Sequence, residues 1–406
     1  MRVSTANSYD NTVSLLARRQ AELAAHQEKI TTGKRVMKPS DDPVAATLAE
    51  TAQNRLSRTQ ADLRSLDTAR SSLQQAESGL AESGEIIQKV RDLLVGAGNA
   101  TYGPSEREDI ARQLEGLREQ LISVANLKDN SGRTLFGGLG GSATPFVDLY
   151  DPSGNGVQFN GQRGQAAAGN TSLPQALDGN AIWMRVPQGN GSFTLSLDTA
   201  NTGTVSTSVG EVTDPTALTG DDYRIDFANV AGVMQYTVTN VTTPAANPMP
   251  GQTSVPYTKG MTIEFDGQSL QMNGQPAAGD QIDLVPSTNT DIFSVVEDAI
   301  AALRYTGANN GAHRTQELAR TITELDAGHD RVLLARGRAG EWLNRGDSLD
   351  TLMEDRSVDL KTENSRLVDL DMVKGLSDFK TMELGLEAAL KSYAQVQRLS
   401  LFQVIN

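Results

Sequence analysis

The side chains best suited to catalysis or metal binding are scarce in this sequence. It has three histidines, His26, His313 and His329, and no cysteine. Histidine is the commonest general base, but none of the three stands in an HExxH metal motif, and there is no Gly-x-Ser-x-Gly turn. His329 falls four residues after Leu325 on a helical seam, which favours a structural role. Without cysteine, the chain has no disulfide and no thiolate nucleophile.

Two segments resemble parts of ligand-binding loops. Residues 136–141, FGGLGG, could cradle a phosphate, but no strand–turn–helix pattern surrounds them, and a hinge is predicted. Residues 151–156, DPSGNG, begin like a calcium loop, yet Gln162 stands where the bidentate glutamate should be, so a polar turn is predicted. Two carboxylate pairs are interpreted as a helix cap and a solvated turn: Asp41-Asp42 and Asp221-Asp222. The sequence therefore predicts no enzyme, cofactor or metal site.

The composition also restricts the partners. The 406 residues carry 50 Asp and Glu against 36 Lys and Arg, a net charge of −14. Phosphate contacts need clustered cations, so binding to nucleic acid or to an anionic membrane is not expected. No apolar run reaches the ~18 residues of a membrane span, and the N-terminus MRVSTANSYDNTV lacks the apolar core of a cleaved signal peptide.

Helical patterns with a seven-residue repeat occupy both ends of the chain. The N-terminal row is Leu66, Leu73, Leu80, Ile87 and Leu94; the C-terminal row is Leu318, Leu325, Val332 and Ala339, with Ile322 and Leu343 beside it. A sustained heptad repeat predicts helices packed side by side. Ser105 with Glu108 is interpreted as a capping box that opens a further helix.

The segment between the two arms has a different composition. Residues 141–290 hold 11 of the 14 prolines, and 13 acidic residues against four basic ones. Alternating apolar residues predict strands near 193–197, 223–227 and 261–265, with a hairpin turn at Asp266-Gly267. The predicted fold is therefore α+β: a long antiparallel coiled-coil rod made by both arms, with an inserted, mostly-β domain of one or two small units. The predicted segments are 1–43 (terminal helix plus turn), 44–140 (N-terminal arm), 141–290 (β insert), 291–366 (C-terminal arm) and 367–406 (terminal helix).

Residues 29–46, KITTGKRVMKPSDDPVAA, resemble the N-terminal signature of the flagellin superfamily. Pro43, where flagellins have alanine, makes the segment more similar to the hook–filament junction family within that superfamily. Residues 130–138, NSGRTLFGG, are similar to the family's exit from the helical arm, and residues 390–402 to its closing helix. The resemblance covers nearly the whole chain.

This resemblance implies a structural, non-enzymatic subunit of the extracellular bacterial flagellum, joining the hook to the filament. The implied partners are hook-associated protein 1, flagellin, further copies of the chain, and an export chaperone that holds the C-terminal helix. Secretion would use the flagellar type III system without a cleaved signal peptide. The alternatives are flagellin itself, a secreted coiled-coil adhesin or effector, and a cytosolic signalling rod; the signature at 29–46 argues against the last two.

Two sets of residues are expected to carry assembly. The first is the apolar stripes of the terminal helices: Val13, Leu16, Leu23, Ile30, Phe379, Leu386, Leu390, Tyr393, Val396, Leu399 and Phe402. The second is the signature turn: Gly33, Arg35, Pro39, Ser40, Asp41, Asp42 and Pro43. The terminal segments are expected to be disordered in the monomer and to fold together on polymerisation.

Overall fold

The computed structural model has the predicted α+β class, with long helices in both arms and strands between them. It describes residues 2–99, 102–140, 142–149, 156–165, 173–242 and 247–405, and the side chains of 10–395 within those ranges. The start of the calcium-like loop, residues 151–155, lies outside that description. The helices are α1 (Arg2–Thr32), α2 (Pro43–Ala97), α3 (Pro104–Ala125), α4 (Gly179–Trp183), α5 (Ile292–Arg304), α6 (Asn310–Val368) and α7 (Met372–Ile405).

The strands lie between α3 and α5, as the composition of that segment predicted. They are β1 (Phe146–Asp148), β2 (Val157–Phe159), β3 (Val186–Pro187), β4 (Phe193–Leu197), β5 (Ser206–Thr207), β6 (Glu211–Val212), β7 (Tyr223–Val230), β8 (Val233–Asn240), β9 (Asn247–Pro248), β10 (Val255–Pro256), β11 (Thr262–Phe265), β12 (Gln268–Asn273), β13 (Gln281–Pro286) and β14 (Asn289–Thr290).

The chain divides into two compact units. The terminal unit contains Met1–Arg64 and Ser348–Asn406, and the central unit contains Ser65–Asp347. The terminal unit thus extends beyond the predicted terminal segments, 1–43 and 367–406. The difference arises because α2 and α6 are unbroken helices, so no turn signal marks the division.

The helical core of the central unit is built on the predicted heptad rows. Leu80, Leu94, Leu325 and Val332 are all fully buried, and they belong to one apolar cluster with residues of α3 and α5. Burying a leucine side chain contributes about 1.5–3 kcal/mol, so this seam is a principal source of the unit's stability.

Phe146, Val157, Leu177, Ile182 and Trp183 belong to this helical core, although the sequence placed them in the β insert. Phe146 and Trp183 are buried there with ring centroids 5.4 Å apart, and Trp183 also meets Phe136 edge to face at 4.6 Å. Aromatic pairs of this geometry add to the stabilisation from burial alone. The core of the inserted β domain therefore begins only at β4.

The inserted β domain has one apolar core enclosed by two sheets. The larger sheet has the strand order β10-β8-β7-β13-β4 with β9 beside β8, and the smaller has the order β11-β12-β5 with β6 beside β12. In β13, Ile282 is opposite Ile225 on one side and Leu197 on the other, and all three are buried. Alternation of buried and exposed residues along these strands is the pattern that the sequence predicted.

Two buried polar side chains of α6 hold the β segment in place. Gln316 accepts hydrogen bonds from the backbone nitrogen and the hydroxyl of Thr207, at 2.7 and 3.0 Å. Two helical turns further on, Glu324 accepts one from the nitrogen of Gly189 at 2.8 Å. Both side chains are at most 1% exposed, so losing either one leaves a buried donor without its partner.

The glycines of residues 137–140, in the segment predicted as a hinge, permit close backbone packing. Gly138 has φ +71°, its nitrogen donates to the oxygen of Leu177, and Leu139 donates to Gln162. A Cβ at Gly138 would lie 1.8 Å from the oxygen of Gln162, so only glycine fits.

The predicted capping box at the start of α3 is wrong. The N-cap residue is Gly103, which has no side chain to accept a hydrogen bond, and Pro104 follows at the first helical position. Glu108 instead pairs with Arg304 of α5 at 2.8 Å.

Candidate assembly interface

The signature turn is a defined structure, stabilised by its two aspartates. The nitrogen of Asp41 donates to the oxygen of Lys38 at 2.9 Å and closes a turn in which Pro39 and Ser40 are the central, exposed residues. Proline suits this position because its fixed φ matches the turn. The carboxylate of Asp41 accepts hydrogen bonds from the backbone nitrogens of Met37 and Lys38, at 3.0 and 3.1 Å.

Asp42 caps α2 and also binds the arginine of the turn. One carboxylate oxygen accepts from the nitrogen of Ala45 at 3.0 Å, and Pro43 occupies the first position of the helix. The other oxygen pairs with Arg35 at 3.1 Å. The predicted helix cap at Asp41-Asp42 is therefore formed by Asp42.

Arg35 connects this turn to the junction of α6 and α7. Its guanidinium donates to the oxygen of Leu367 at 2.8 Å, and its backbone nitrogen donates to Val368 at 2.7 Å. Leu370 in turn donates to the oxygen of Gly33, a residue with φ +70°. Residues from the two ends of the sequence thus form one hydrogen-bonded loop pair within the terminal unit.

The same hydrogen bonds shift the pKa values of both aspartates. Backbone donors at Met37 and Lys38 lower the pKa of Asp41 below its ordinary value. The pKa of Asp42 is lowered by the nitrogen of Ala45 and by Arg35. Both groups are therefore ionised at neutral pH, in the form that can accept these bonds.

Helices α1 and α7 pack against each other in the terminal unit. The Nε2 atom of His26 lies 2.9 Å from the oxygen of Gly375. Seven residues earlier in α1, the guanidinium of Arg19 lies beside Gly385, ten residues later in α7. The two helices therefore run antiparallel.

The facing side chains follow the predicted stripes. Half-buried apolar residues recur every seven positions on each helix: Leu16, Leu23 and Ile30 on α1, and Phe379, Leu386 and Tyr393 on α7. This is the spacing of a coiled-coil seam. Val13 and Leu390 are on the predicted list but each is 43% exposed. The side chains of Val396, Leu399 and Phe402 lie outside the described residues.

Helix α7 also carries apolar side chains that the described residues of the terminal unit leave exposed. Val373 is 84% exposed, Leu384 65% and Leu376 54%. Val373 and Leu384 lie outside the single apolar stripe that the sequence predicts for α7. A helix that is apolar on more than one face indicates several packing partners. Apolar residues outside the main stripe are therefore the sequence signal that could have identified Val373 and Leu384.

The histidines do not form a site. His26 lies in the α1–α7 seam, His313 stacks on Tyr305 with ring centroids 4.0 Å apart, and His329 lies beside Gly84. Within the described residues, no group of three or more His, Asp or Glu side chains could hold a metal ion. No described helix is long and apolar enough to cross a membrane.

Comparisons with known proteins connect this architecture to the flagellum. Residues 3–140 match the family described as the bacterial flagellin N-terminal helical region. Flagellar hook-associated protein 3 of Escherichia coli (strain K12) is 26% identical over 100% of this chain and 99% of its own length. A flagellin of Clostridium tyrobutyricum is more distant, at 22% identity over 91% of this chain.

The fold agrees with the same family. The crystal structure of flagellar hook-associated protein 3 from Legionella pneumophila is 27% identical and superposes with a TM-score of 0.70, covering 78% of this chain and 98% of the other. The sequence similarity extends through both arms and the insert, and the structural similarity covers most of the chain. The chain is therefore similar over its whole length to flagellar hook-associated protein 3, and its N-terminal arm matches the N-terminal region of flagellins.

Proposed function

We propose that this chain is a structural subunit of the bacterial flagellum that joins the hook to the flagellin filament. The observation that carries the proposal is the end-to-end similarity to flagellar hook-associated protein 3, from the signature turn to the closing helix. The same relatives associate the chain with the flagellum. Its neighbours there would be hook-associated protein 1 on one side, flagellin on the other, and further copies of the chain around the axis.

The terminal unit is the part we assign to assembly. Helices α1 and α7 bury one seam against each other and leave Val373, Leu376 and Leu384 exposed. Uncovered apolar surface of this kind is costly in water, and neighbouring subunits would remove it from water. The signature turn would fix the angles between α1 and α2 and between α6 and α7. Arg35 donates a hydrogen bond to Leu367 at the end of α6, and it also pairs with Asp42, which caps α2.

The other parts have simpler roles in this proposal. The β insert would face outward, where its negative charge, from 10 acidic against two basic residues in 193–290, keeps subunits soluble. Export would use the flagellar type III system without a cleaved signal peptide, and a chaperone would hold α7 until assembly. A chain without cysteine has no disulfide to obstruct passage through a narrow channel. We propose no catalytic activity.

A strain lacking the gene tests the role. Its cells would be imaged by electron microscopy, and the medium would be blotted for flagellin. The junction role requires bare hooks together with abundant flagellin in the medium, because flagellin is exported but has no junction on which to polymerise. Bare hooks without secreted flagellin would identify the chain as flagellin, and normal filaments would overturn the flagellar assignment.

A further inference from the structure

A small notch lies on the surface of the central unit, between α4 and α6. It has a volume of about 160 Å³, and Ile182, Leu334 and Trp342 supply its apolar walls. Leu334 is 58% exposed at its rim. Pockets for small-molecule ligands usually measure about 300–1,000 Å³, so this notch suits a single protein side chain better than a cofactor.

Arginines surround the notch. Arg331 and Arg338 line it, and Arg185 lies near Arg331. Burial, and then the neighbouring cations Arg185 and Arg338, lower the pKa of the Arg331 guanidinium. Arg331 is held in place by two hydrogen bonds to the oxygen of Ala181, at 2.7 and 3.1 Å.

Arginines outnumber carboxylates at the notch. Asp178 also lines it, and its oxygens accept hydrogen bonds from the backbone nitrogens of Gly164 and Ala181 rather than from an arginine. In the described part of the chain, neither Arg185 nor Arg338 forms an ion pair. On a chain with a net charge of −14, such a group of arginines marks a surface that favours an acidic partner.

The complementary surface is on the same helix, in the terminal unit. Leu352 is 64% exposed there, and three exposed carboxylates accompany it along one stripe of α6: Asp355, Asp359 and Glu363. Residues 350–359 contain four acidic side chains and one arginine. The opposite face carries the buried residues Ser357 and Leu360, so the stripe is directed to solvent.

The two surfaces are complementary in charge and shape. An apolar side chain followed by carboxylates on one stripe corresponds to an apolar notch lined by arginines on the other surface.

We propose that the arginine-lined notch of one copy binds the acidic stripe of a second copy, with Leu352 entering the notch and Asp355 and Asp359 pairing with Arg331 and Arg338. This inference rests on the proposed function and specifies how the copies contact one another. The contact joins unlike surfaces, so it is heterologous, and repetition of such a contact generates a ring or a helical turn. A layer of subunits around the flagellar axis requires that geometry.

Charge reversal tests the contact in a strain lacking the gene, complemented with the full-length chain. Arg338→Glu and Asp359→Arg are each expected to reduce filament number about tenfold or more, because each places like charges in contact. The double variant is expected to restore filaments to within about twofold of the unaltered chain. Lys259→Glu makes the same change of charge on the exposed β insert and is the matched control, expected to have no effect.

The outcomes separate the two hypotheses. If the unaltered chain itself fails to restore filaments, the proposed function is wrong. If it restores them but either single reversal has no effect, or the double variant is no better than the singles, the contact is wrong and the function stands. Blotting the medium shows that the variants are produced and exported.

Cross-linking provides a second measurement, because the natural chain has no cysteine. Detached flagella carrying a mixture of Leu334→Cys and Leu352→Cys chains would be treated with a short bismaleimide. A product joining the two variants is expected. A mixture of Leu334→Cys with Val230→Cys, on the exposed end of β7, is the control, and an equal yield from both mixtures would overturn the proposal.

Discussion

Arg35 donates a hydrogen bond to the backbone oxygen of Leu367 at 2.8 Å, so a side chain near the start of the sequence holds the end of α6. The same guanidinium pairs with Asp42, which caps α2. One side chain therefore fixes two helix ends at the point where both connect to the terminal helices. This arrangement gives a physical role to the charged residues of the signature.

Arg35→Ala is expected to loosen this loop pair without unfolding the central unit. Loss of the bond to Leu367 should lower the local opening free energy by about 1 kcal/mol, and the amide of Leu370 should exchange several-fold faster. Hydrogen–deuterium exchange with mass spectrometry measures this directly. Lys38→Ala is the control, because the turn uses only its backbone; equal exchange in both variants would contradict the role of the guanidinium.

Acid is expected to open the signature turn. The pKa values of Asp41 and Asp42 are depressed in the folded chain, so their stabilisation is complete above the unfolded-state value near 3.8 and is lost as the pH falls through the folded values. Hydrogen exchange of residues 37–45 between pH 7 and 3 should show this loss. Asp41→Asn with Asp42→Asn should flatten the dependence, whereas the exposed control Asp330→Asn should retain it.

Glu324→Ala is expected to destabilise the central unit by about 2–4 kcal/mol. The substitution leaves the buried nitrogen of Gly189 without its acceptor and removes one carboxylate from beside Arg320, 3.5 Å away. Urea unfolding followed by the fluorescence of the buried Trp183 reports on this unit. The exposed control Glu341→Ala should change stability by less than about 0.5 kcal/mol.

Leu384→Asp on α7 is expected to abolish filaments while the chain is still secreted. The side chain is 65% exposed in the isolated subunit, so the change costs little there, but a carboxylate buried at a subunit contact is strongly unfavourable. Leu390→Asp tests the predicted stripe in the same way. Ser392→Asp places the same charge at an exposed polar position and should assemble normally. Normal filaments with Leu384→Asp would show that this face stays uncovered.

The sequence predicted the seams of the central helices well because their periodicity directly reflects burial. Leu66, Leu73 and Leu80 recur every seven residues and are all at most 1% exposed. The family resemblance was equally informative, because the signature residues lie close together in the chain and act locally.

Features that depend on distant parts of the chain could not be predicted in this way. Glu108 matched a local capping pattern, yet its partner is Arg304, nearly 200 residues away. The bond between Arg35 and Leu367 likewise joins opposite ends of the sequence. In α7, apolar residues occur on several faces, so periodicity alone could not show that Phe379 faces α1 while Leu384 remains exposed.

The position of this chain in the flagellum tests the junction role most directly. A Val230→Cys chain would be expressed in the strain lacking the gene, and intact flagella would be labelled with maleimide–gold at this exposed residue. The expected result is gold confined to a narrow band where the hook meets the filament. Gold along the whole filament, or none at the boundary, would contradict the proposed function.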